Sequence, residues 1–318
     1  MATQQYKTGS QLEKLLVAGE FVVTAELGPP KSADLAALQA KIESLRGYAD
    51  AVNVTDNQAA TVRVASMAVA RLLVEQGLEP VMQMTCRDRN RLALQADILG
   101  AYVLGIRNLL CLTGDHPRVG NHPTAAAVYD LDALQLIQLT KNMRDRKIFA
   151  NAEEIRNSAK EEILEPRMFI GAAANPFAEP LELQIDILEK KIAAGADFIQ
   201  TQCVYDIDRF QHWLEQVRAR GLHQRVRILA GLTPLKSVGM AKYMRDKVPG
   251  IILPPAFIAR LERSSDPQAE GIQLCLEQIA QLRRVEGLAG IHLMAIGWEH
   301  RVAEIIKPAG LWPRPAPR

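Results

Sequence analysis

Cysteine is scarce in this sequence, and the few residues present follow no binding motif. The chain of 318 residues has four cysteines, Cys86, Cys111, Cys203 and Cys275, and no CxxC pair. Zinc sites and disulfide frameworks are marked by closely spaced cysteines, so the sequence predicts neither. Free cysteine packs as a small apolar side chain, and we expect all four to be buried.

An excess of charge of one sign is missing as well. Lys and Arg number 38 against 36 Asp and Glu, a formal net charge of +2. Nucleic-acid-binding proteins carry a basic field that this chain lacks, so no nucleic-acid partner is expected.

Long apolar runs are also absent. No window comes near the roughly 18 uninterrupted apolar residues of a membrane span. The first residues, "MATQQYKTGSQLEKLL", lack the apolar core of a secretory signal. We therefore expect a cytoplasmic protein without a membrane span.

What the sequence does contain is a regular alternation of short apolar runs with longer amphipathic segments. Apolar residues make up 48% of the chain and charged residues 23%, enough to bury a large core. The apolar runs read as strands. They are "FVVTAEL" from Phe21, "AVNVTDN" from Ala51, "PVMQMTC" from Pro80, "NLLCLTG" from Asn108, "RMFIGAAAN" from Arg167, "DFIQTQCVYD" from Asp197, "RVRILAGLTPL" from Arg225 and "GIHLMAIGW" from Gly290.

Helical sequence follows these strands, as in "DLAALQAKIESLRGY" and "LELQIDILEKKIAAG", and it closes near a glycine. Eight strands in this order predict an α/β fold, a single-domain (β/α)8 TIM barrel over residues 1–318. A doubly wound open sheet is the alternative. It would more often carry a glycine-rich turn after the first strand, where this chain has "GPPK", Gly28 to Lys31, which cannot cradle a dinucleotide.

Catalytic groups of a barrel gather at the carboxyl ends of its strands. Polar residues are frequent at the predicted ends. In strand order they are Glu26; Thr55, Asp56 and Asn57; Thr85; Asp115; Asn175; Gln202, Tyr205 and Asp206; and Glu299, with Pro234 and Trp298 at the last two ends.

Two of these carboxylates favour a functional interpretation. Glu26 lies between apolar residues and before a Gly-Pro-Pro stop, where it is a poor helix cap and a costly core residue. A partly buried carboxyl of this kind suits a general acid. Asp115 follows Gly114, which lets another molecule approach the backbone. Asp56 and Asp206 precede helical sequence and are equally compatible with helix caps or turns. A metal site at Glu26, Asp115 and His116 lacks ligand spacing and is not predicted.

Two segments exceed a minimal βα unit. Residues 118–134 form a long loop after strand 4, of a length that usually covers a ligand or moves. Residues 140–167 carry dense mixed charge and predict a helical extension between strands 4 and 5. Its charge fits either a solvated helical face or a partner-docking surface.

Taken together, the strand ends "AELGPPK", "NVTDN", "MTCRDR", "LTGDHP", "GAAANP", "AGADFIQTQCVYD" and "AGLTPL" resemble the methylenetetrahydrofolate reductase family. These are flavoproteins built on a (β/α)8 barrel. The resemblance runs in order from Phe21 to about Trp298, and it is closest to the short reductases of anaerobic one-carbon pathways. It implies reduction of 5,10-methylenetetrahydrofolate to 5-methyltetrahydrofolate by hydride from reduced flavin.

The resemblance also implies roles for individual residues. Glu26 matches the general acid that protonates N10 of the folate, and Asp115 matches the aspartate beside flavin and pterin. Gln202 matches the glutamine that hydrogen-bonds the pterin, with Tyr205 and Asp206 at the substrate-binding positions after it. The flavin-binding positions, with FAD or FMN left open, are Thr55, Gly114, Asp115, Tyr129, Ala172 and Lys191. From its helical position alone, Lys191 reads equally as a solvent-facing residue.

Three departures from the family pattern bear on the electron donor. Thr113 stands where many members have Arg, and Gln83 stands near a common His. Val238 falls at the aromatic position that stacks on the nicotinamide nucleotide and on folate. The donor is therefore NAD(P)H or, as Val238 favours, a partner electron-transfer subunit that the 140–167 extension could contact. We expect an oligomer or a hetero-complex.

Two other functions stay open. A flavin-free pterin methyltransferase barrel would hold its pterin with Asn and Asp, and Asn53, Asn57 and Asn175 lie near the predicted rim. It leaves Glu26 unexplained. A non-catalytic subunit of a one-carbon complex would keep the barrel without flavin, but the presence of Glu26, Asp115 and Gln202 argues against such decay.

Overall fold

Eight parallel strands form a closed barrel in the computed structural model, which describes residues 6–156 and 162–316. The strands follow one another in chain order, and β1 pairs with β8 to close the barrel. All eight predicted strands are present, and the predicted (β/α)8 barrel is confirmed. The strands are β1 (Val22–Leu27), β2 (Ala51–Val54), β3 (Pro80–Thr85), β4 (Asn108–Leu112), β5 (Phe169–Ala174), β6 (Phe198–Cys203), β7 (Arg227–Leu232) and β8 (Gly290–Leu293).

Helices cover the outside of the barrel. Their first turns are often capped by a side chain at the residue that sequence rules favour, as Asn90 caps α4 and Asp132 caps α5. The helices are α1 (Gln11–Val17), α2 (Leu35–Leu45), α3 (Ser66–Glu75), α4 (Arg91–Val103), α5 (Ala133–Lys141), α6 (Leu181–Ala194), α7 (Ile207–Ala219), α8 (Leu222–Arg225), α9 (Val238–Lys247), α10 (Pro255–Arg263), α11 (Pro267–Leu282) and α12 (Val302–Ile306). None of the helices described is long and apolar enough to cross a membrane.

The barrel interior is apolar at one end and polar at the other. Successive side chains of a strand face opposite sides, so alternate residues point inward. Near the amino ends of the strands the inward residues are large and apolar, and Phe169 stacks on Phe198 at 5.3 Å between ring centroids. Helix α1 packs Leu12, Leu15 and Leu16 into the same cluster and closes that end.

The connection between β7 and β8 holds three helices instead of one. Helices α9, α10 and α11 enclose a small apolar core of their own beside the carboxyl ends of β6 and β7. The loop between α9 and α10 reaches the strand ends, because Gly250 packs so closely on Asn175 that a Cβ there would overlap the amide.

Among its described residues, the extension predicted over 140–167 is helical only in its first part. Helix α5 continues through a π-helical turn, Asn142–Arg146, and ends where Lys147 takes a positive φ of 57°. An antiparallel bridge between Ile148 and Glu154 follows. Residues 162–167 are not helical, and residues 157–161 of the predicted extension lie outside the described part. The charged residues of the extension therefore lie partly on α5 and its π-helical turn and partly on the non-helical residues 147–156 and 162–167.

The four cysteines are free and buried, as predicted. Burial raises the pKa of the thiols of Cys86, Cys203 and Cys275 to about 12, and it raises that of Cys111 as well. Thiols of this kind stay protonated and pack as apolar side chains.

Candidate active site

A cavity of about 390 Å³ opens at the carboxyl ends of the strands. It falls in the size range of small-molecule sites and combines apolar walls with convergent polar groups. Its lining residues come from β1, β3, β4, β5, β6, β8 and α6, and they are Glu26, Gln83, Leu110, Leu112, Ala173, Ala174, Asn175, Gln184, Lys191, Gln200, Thr201, Gln202, His292 and Met294. A larger groove, about 660 Å³, lies along α4 and residues 149–153, and none of the predicted site residues lines it.

Glu26 is the carboxylate of this cavity. It lies near the end of β1 with its side chain 14% exposed. Its closest polar neighbours are Gln83 Nε2, 3.5 Å from Oε2, and His292 Nε2, 3.7 Å from the same oxygen. Both distances exceed those of strong hydrogen bonds to a carboxylate. Glu26 is therefore held in place but keeps its hydrogen-bonding capacity for a ligand.

A buried polar chain beneath Glu26 is the part of the site that the sequence did not indicate. His292 Nδ1 lies 2.9 Å from Thr24 Oγ1, and Gln200 Nε2 donates to that hydroxyl at 3.1 Å. Gln200 also exchanges two hydrogen bonds with Asn53. All four side chains belong to buried residues. One feature of the sequence could have indicated this chain. Its members are polar residues at inward positions of apolar strands, where barrel packing is expected to place apolar side chains.

Lys191 lines the cavity rather than facing solvent. It lies in α6 and donates from Nζ to the carbonyl of Ala173 at 2.7 Å, which leaves two N–H groups for another acceptor. Burial lowers the pKa of its ammonium group. A half-buried cation with no carboxylate in ion-pair range among the described residues is costly, and an anionic or carbonyl group of a ligand would compensate it.

Gln202 lies at the cavity edge, partly tied to the α9–α10 loop. Its Nε2 donates to the Pro249 carbonyl at 3.3 Å, and its Oε1 accepts from the amide of Cys203 at 3.0 Å. Asn175 lies next to it, with Oδ1 accepting from the amide of Phe177 at 3.0 Å. The structure thus brings together three of the predicted site residues, Glu26, Gln202 and Lys191.

Gly114, Asp115 and Tyr129 lie on the rim outside the cavity lining. Gly114 has a φ of +88°, and Tyr129 donates from its hydroxyl to the Gly114 carbonyl at 3.1 Å. Burial raises the pKa of this phenol. The Asp115 side chain is exposed, and its backbone carbonyl accepts from the buried Arg87 at 3.2 Å.

Arg87 ties the rim loops together. Its guanidinium also donates to the Asn57 carbonyl at 3.3 Å and pairs with Asp88 at 2.7 Å. The side chain is 3% exposed. Arg87 therefore holds the loops after β2 and β4 side by side, a role that the sequence did not reveal.

Five other residues considered at the strand ends do not reach the cavity. Thr55 is buried and donates to Gln58. Ala172 faces outward into the core between barrel and helices. Asp56 is no helix cap, since it accepts from the Thr85 amide at 2.9 Å and pairs with Arg89 at 2.7 Å. Asn53 is buried in its amide pair, and Asn57 accepts from the amide of Arg63 at 3.0 Å.

Tyr205 and Asp206, which are predicted to bind substrate, make contacts within the protein. Tyr205 is buried in the core of the α9–α11 helices, where it donates to the Thr233 carbonyl at 2.8 Å and packs edge-on against Phe257. Burial raises the pKa of its hydroxyl well above 10. Asp206 caps α7 by accepting from the Arg209 amide at 3.0 Å. Val238 likewise packs against the helical core and does not line the cavity.

The side chains that line the cavity suit a flat heteroaromatic ligand. Leu110, Leu112 and Met294 supply apolar surface, and the small Ala173 and Ala174 leave room beside it. Amide side chains at the edge can pair with ring nitrogen and carbonyl groups. No group of three or more His, Cys, Asp or Glu within residues 6–156 and 162–316 is placed to hold a metal ion.

Comparisons with known proteins agree on one family. The family model described as methylenetetrahydrofolate reductase matches residues 11–310. Methylenetetrahydrofolate reductase 2 of Saccharomyces cerevisiae is 27% identical over 248 residues, which cover 74% of this chain and 37% of that protein. The 5,10-methylenetetrahydrofolate reductase of Salmonella typhimurium is 24% identical over 288 residues and is matched over 88% of both chains. The chain thus spans little more than a third of the yeast relative.

A solved structure shares the fold. A Clostridium thermocellum protein that binds two copies of 5-methyl-5,6,7,8-tetrahydrofolic acid superposes with a TM-score of 0.60 over 93% of this chain and 99% of that one. The two sequences are 15% identical, so the likeness shows the barrel fold alone.

Proposed function

This chain belongs to the methylenetetrahydrofolate reductase family, and on that premise we propose that it reduces 5,10-methylenetetrahydrofolate to 5-methyltetrahydrofolate. The observation that carries the proposal is the placement of Glu26. It is the carboxylate that lines the cavity at the strand ends, and its nearest donors lie 3.5 and 3.7 Å away.

Glu26 has the position of a general acid. Opening the five-membered ring of the substrate needs a proton at N10, and a carboxyl group in a partly dry cavity can deliver it. The carboxylate that remains faces Gln83 Nε2 and His292 Nε2. Both groups lie where donors would stabilise the new negative charge, and such contacts often tighten only when substrate is bound.

The other polar groups of the cavity would bind and orient. Gln202 and Asn175 are the amides at its edge, and we assign them to the pterin ring. The folate-binding neighbour from Clostridium thermocellum supports a reduced folate as ligand of this barrel. A pterin methyltransferase is less favoured. Of the three asparagines it would use, Asn53 and Asn57 are engaged within the protein and only Asn175 lines the cavity.

We also assign a flavin, as FAD or FMN, to this end of the barrel. The cavity has apolar walls, the half-buried cation of Lys191 and the amides of Gln83 and Gln184, a set that matches a flat ring with a polar edge and a negative charge. Lys191 would hold the anionic side, and Gly114 and Tyr129 would border the rest at the rim. When bound, the flavin supplies the hydride that reduces the methylene carbon.

We further propose a partner protein as electron donor. Val238 stands where the family resemblance calls for an aromatic platform, and it packs into the helical core away from the cavity. A nicotinamide ring would then lack its stacking surface. The loop that follows Arg146 carries the mixed charge expected of a docking surface.

The experiment is an anaerobic absorbance titration of the full chain near 450 nm. Released flavin is identified first, and NADH and then 5-methyltetrahydrofolate are added in separate titrations. We expect a stoichiometric flavin that 5-methyltetrahydrofolate bleaches and NADH does not.

Each other outcome has one meaning. Bleaching by NADH would remove the argument from Val238 and make the chain self-sufficient. A chain that binds no flavin after reconstitution but transfers the methyl group of 5-methyltetrahydrofolate to a corrinoid would be a methyltransferase. Absence of both activities would point to a non-catalytic subunit.

A further inference from the structure

The hydrogen bonds beneath Glu26 run in one direction, from donor to acceptor, toward His292. This direction decides which ring nitrogen of His292 carries the proton. We propose that the amide pair of Asn53 and Gln200 fixes the proton of neutral His292 on Nε2, the ring nitrogen that faces Glu26. The two amides are thus positioning residues that act through Thr24. The catalytic meaning of this arrangement rests on the proposed function, but the arrangement itself does not.

The orientation of the Gln200 amide sets the direction of the chain. Asn53 Nδ2 donates to Gln200 Oε1 at 2.7 Å, and Gln200 Nε2 donates back to Asn53 Oδ1 at 3.0 Å. The second N–H of Gln200 donates to Thr24 Oγ1 at 3.1 Å. An amide nitrogen cannot accept a hydrogen bond, so the hydroxyl oxygen is the acceptor in this contact.

The hydroxyl of Thr24 passes the direction on. Its single hydrogen can go to His292 Nδ1 at 2.9 Å or to the Ile291 carbonyl at 3.5 Å. The hydroxyl donates across the shorter contact, to His292 Nδ1, because 3.5 Å is at the limit of a hydrogen bond. Nδ1 of His292 then accepts, and a neutral imidazole whose Nδ1 accepts carries its hydrogen on Nε2.

This proton faces the carboxylate of the site. Nε2 lies 3.7 Å from Glu26 Oε2. An N–H there stabilises the anion that remains after Glu26 gives up its proton, whereas the other tautomer would present a lone pair to it. The third titratable residue of the cavity lining is Lys191, which donates to the Ala173 carbonyl. Burial raises the thiol pKa of Cys203, next to Gln202, and the charge of Glu26 adds to that rise.

Barrel packing does not require these residues. Interiors of such barrels are filled mostly by branched apolar side chains. Burying two amides, a hydroxyl and an imidazole is favourable only if each polar atom is paired. Their pairing in one chain that leads to Glu26 is the reason to assign them a role in the site.

The test reads the tautomer directly, without substrate. The chain has six histidines, and uniform labelling of histidine with ¹⁵N gives long-range ¹H–¹⁵N spectra in which His292→Gln identifies the His292 signals. We expect the hydrogen of the neutral ring on Nε2. Gln200→Met should abolish this preference, and Gln200→Glu, which turns an acceptor toward Thr24, should move the hydrogen to Nδ1.

Gln278→Met is the matched control. Gln278 is also buried and donates to the Val204 carbonyl at 2.6 Å, outside the chain to Glu26. Its loss should lower stability as the loss of Gln200 does and leave the His292 tautomer unchanged. A purely structural role for Gln200 would make the two variants alike in every readout.

Turnover gives a second readout. Loss of a hydrogen bond to a charged group corresponds to about a tenfold fall in kcat, with KM nearly unchanged. The limb of the pH–rate profile that reports proton donation should move to higher pH in Gln200→Met. Hydrogen on Nδ1 in the wild-type protein, or a wild-type tautomer in Gln200→Met, would overturn the proposal. Because the spectra need no folate, a failure of the reductase assay alone would reject the proposed function and not the tautomer.

Discussion

The carboxylates at the amino end of the barrel are paired more tightly than the carboxylate that lines its cavity. At the amino end, Glu13 accepts from three backbone amides at 2.6, 2.8 and 2.9 Å, and Glu79 accepts from two amides and Asn108 at 2.6 to 2.9 Å. Asp50 accepts from the Val23 amide and Arg314, each at 2.7 Å. At the carboxyl end, no donor among the described residues lies closer than 3.5 Å to Glu26.

The difference separates carboxylates that hold the fold from one that is available for chemistry. A buried carboxylate with two or three short hydrogen bonds is satisfied and has nothing left to offer a ligand. Glu26 has unused hydrogen-bond acceptors in a cavity. Such a carboxylate costs stability, which is typical of a residue with a function in a site. A substitution at Glu26 should therefore lower activity and leave stability unchanged. Substitutions of the paired carboxylates at the amino end should lower stability and leave activity unchanged.

The largest effect is expected at Glu26. Glu26→Gln keeps the size of the side chain but removes the proton that the proposed reaction needs. General acids contribute about 10²–10⁴ in rate, so folate reduction should fall by at least about 10². Flavin binding, flavin reducibility and the thermal midpoint should stay as in the wild type. Stopped-flow experiments measure the rate of folate reduction, and calorimetry measures the thermal midpoint. Normal folate reduction by the variant would contradict the general-acid assignment.

The second largest effect is expected at the opposite end. Asp197 accepts from Arg144 at 2.6 Å and from the Ile170 amide at 2.8 Å, and it also pairs with Lys7. Asp197→Ala leaves the buried Arg144 short of a partner, which should lower the free energy of unfolding by about 3–5 kcal/mol. Activity per folded molecule should be unchanged.

An exposed ion pair serves as the control for Asp197. Asp246 pairs with Arg245 on the surface of α9, and Asp246→Ala should leave chemical denaturation unchanged. Equal stability of the two alanine variants would contradict the idea that the amino end of the barrel carries the fold.

The fold followed from the sequence because its signals are local. Apolar runs, helical periodicity and a terminating Gly or Pro are set by neighbouring residues, and all eight strands appear where these signals lie. The 140–167 segment is less helical in its described residues than predicted, because dense charge fits a solvated helix and a solvated loop equally well. Only the positive φ of Lys147 and the bridge of Ile148 decide between them.

The site was less predictable because it depends on side-chain direction. Inward alternation put Glu26 and Gln202 into the cavity, but Tyr205 comes after the last strand residue, where alternation no longer applies. A helix position did not reveal that Lys191 bends back over β5. The contacts of His292 and Gln200 with Thr24 could not be predicted, because they join β8, β1 and β6, strands that are distant in sequence and share one interior.

The third prediction uses pH to probe the amino end. Burial raises the pKa of Glu79 above its ordinary value of 4.5. A carboxyl with a raised folded pKa contributes stability that is complete below 4.5 and is lost as the pH rises through the folded value. The unfolding free energy of the wild type, measured relative to Glu79→Gln, should therefore decrease as the pH rises from 4.5.

Denaturation series at several pH values measure this difference. Glu75→Gln, on the exposed face of α3, is the matched control and should keep the pH dependence of the wild type. A flat difference between wild type and Glu79→Gln would mean that the donors of α1 and Asn108 fully compensate the burial of Glu79.

The smallest effect is expected at Tyr205, which tests where the boundary between the two ends lies. It stands beyond the carboxyl end of β6, yet its hydroxyl donates to the Thr233 carbonyl inside an apolar core and does not line the cavity. Tyr205→Phe should lower the free energy of unfolding by about 0.5–1.5 kcal/mol, the value of one hydrogen bond, and leave KM for folate unchanged. Steady-state kinetics with Gln202→Leu as the cavity-lining comparison decides the matter. A raised KM in Tyr205→Phe would return this residue to the substrate site and show that position along the strand, and not the pairing of polar atoms, distinguishes the two ends of the barrel.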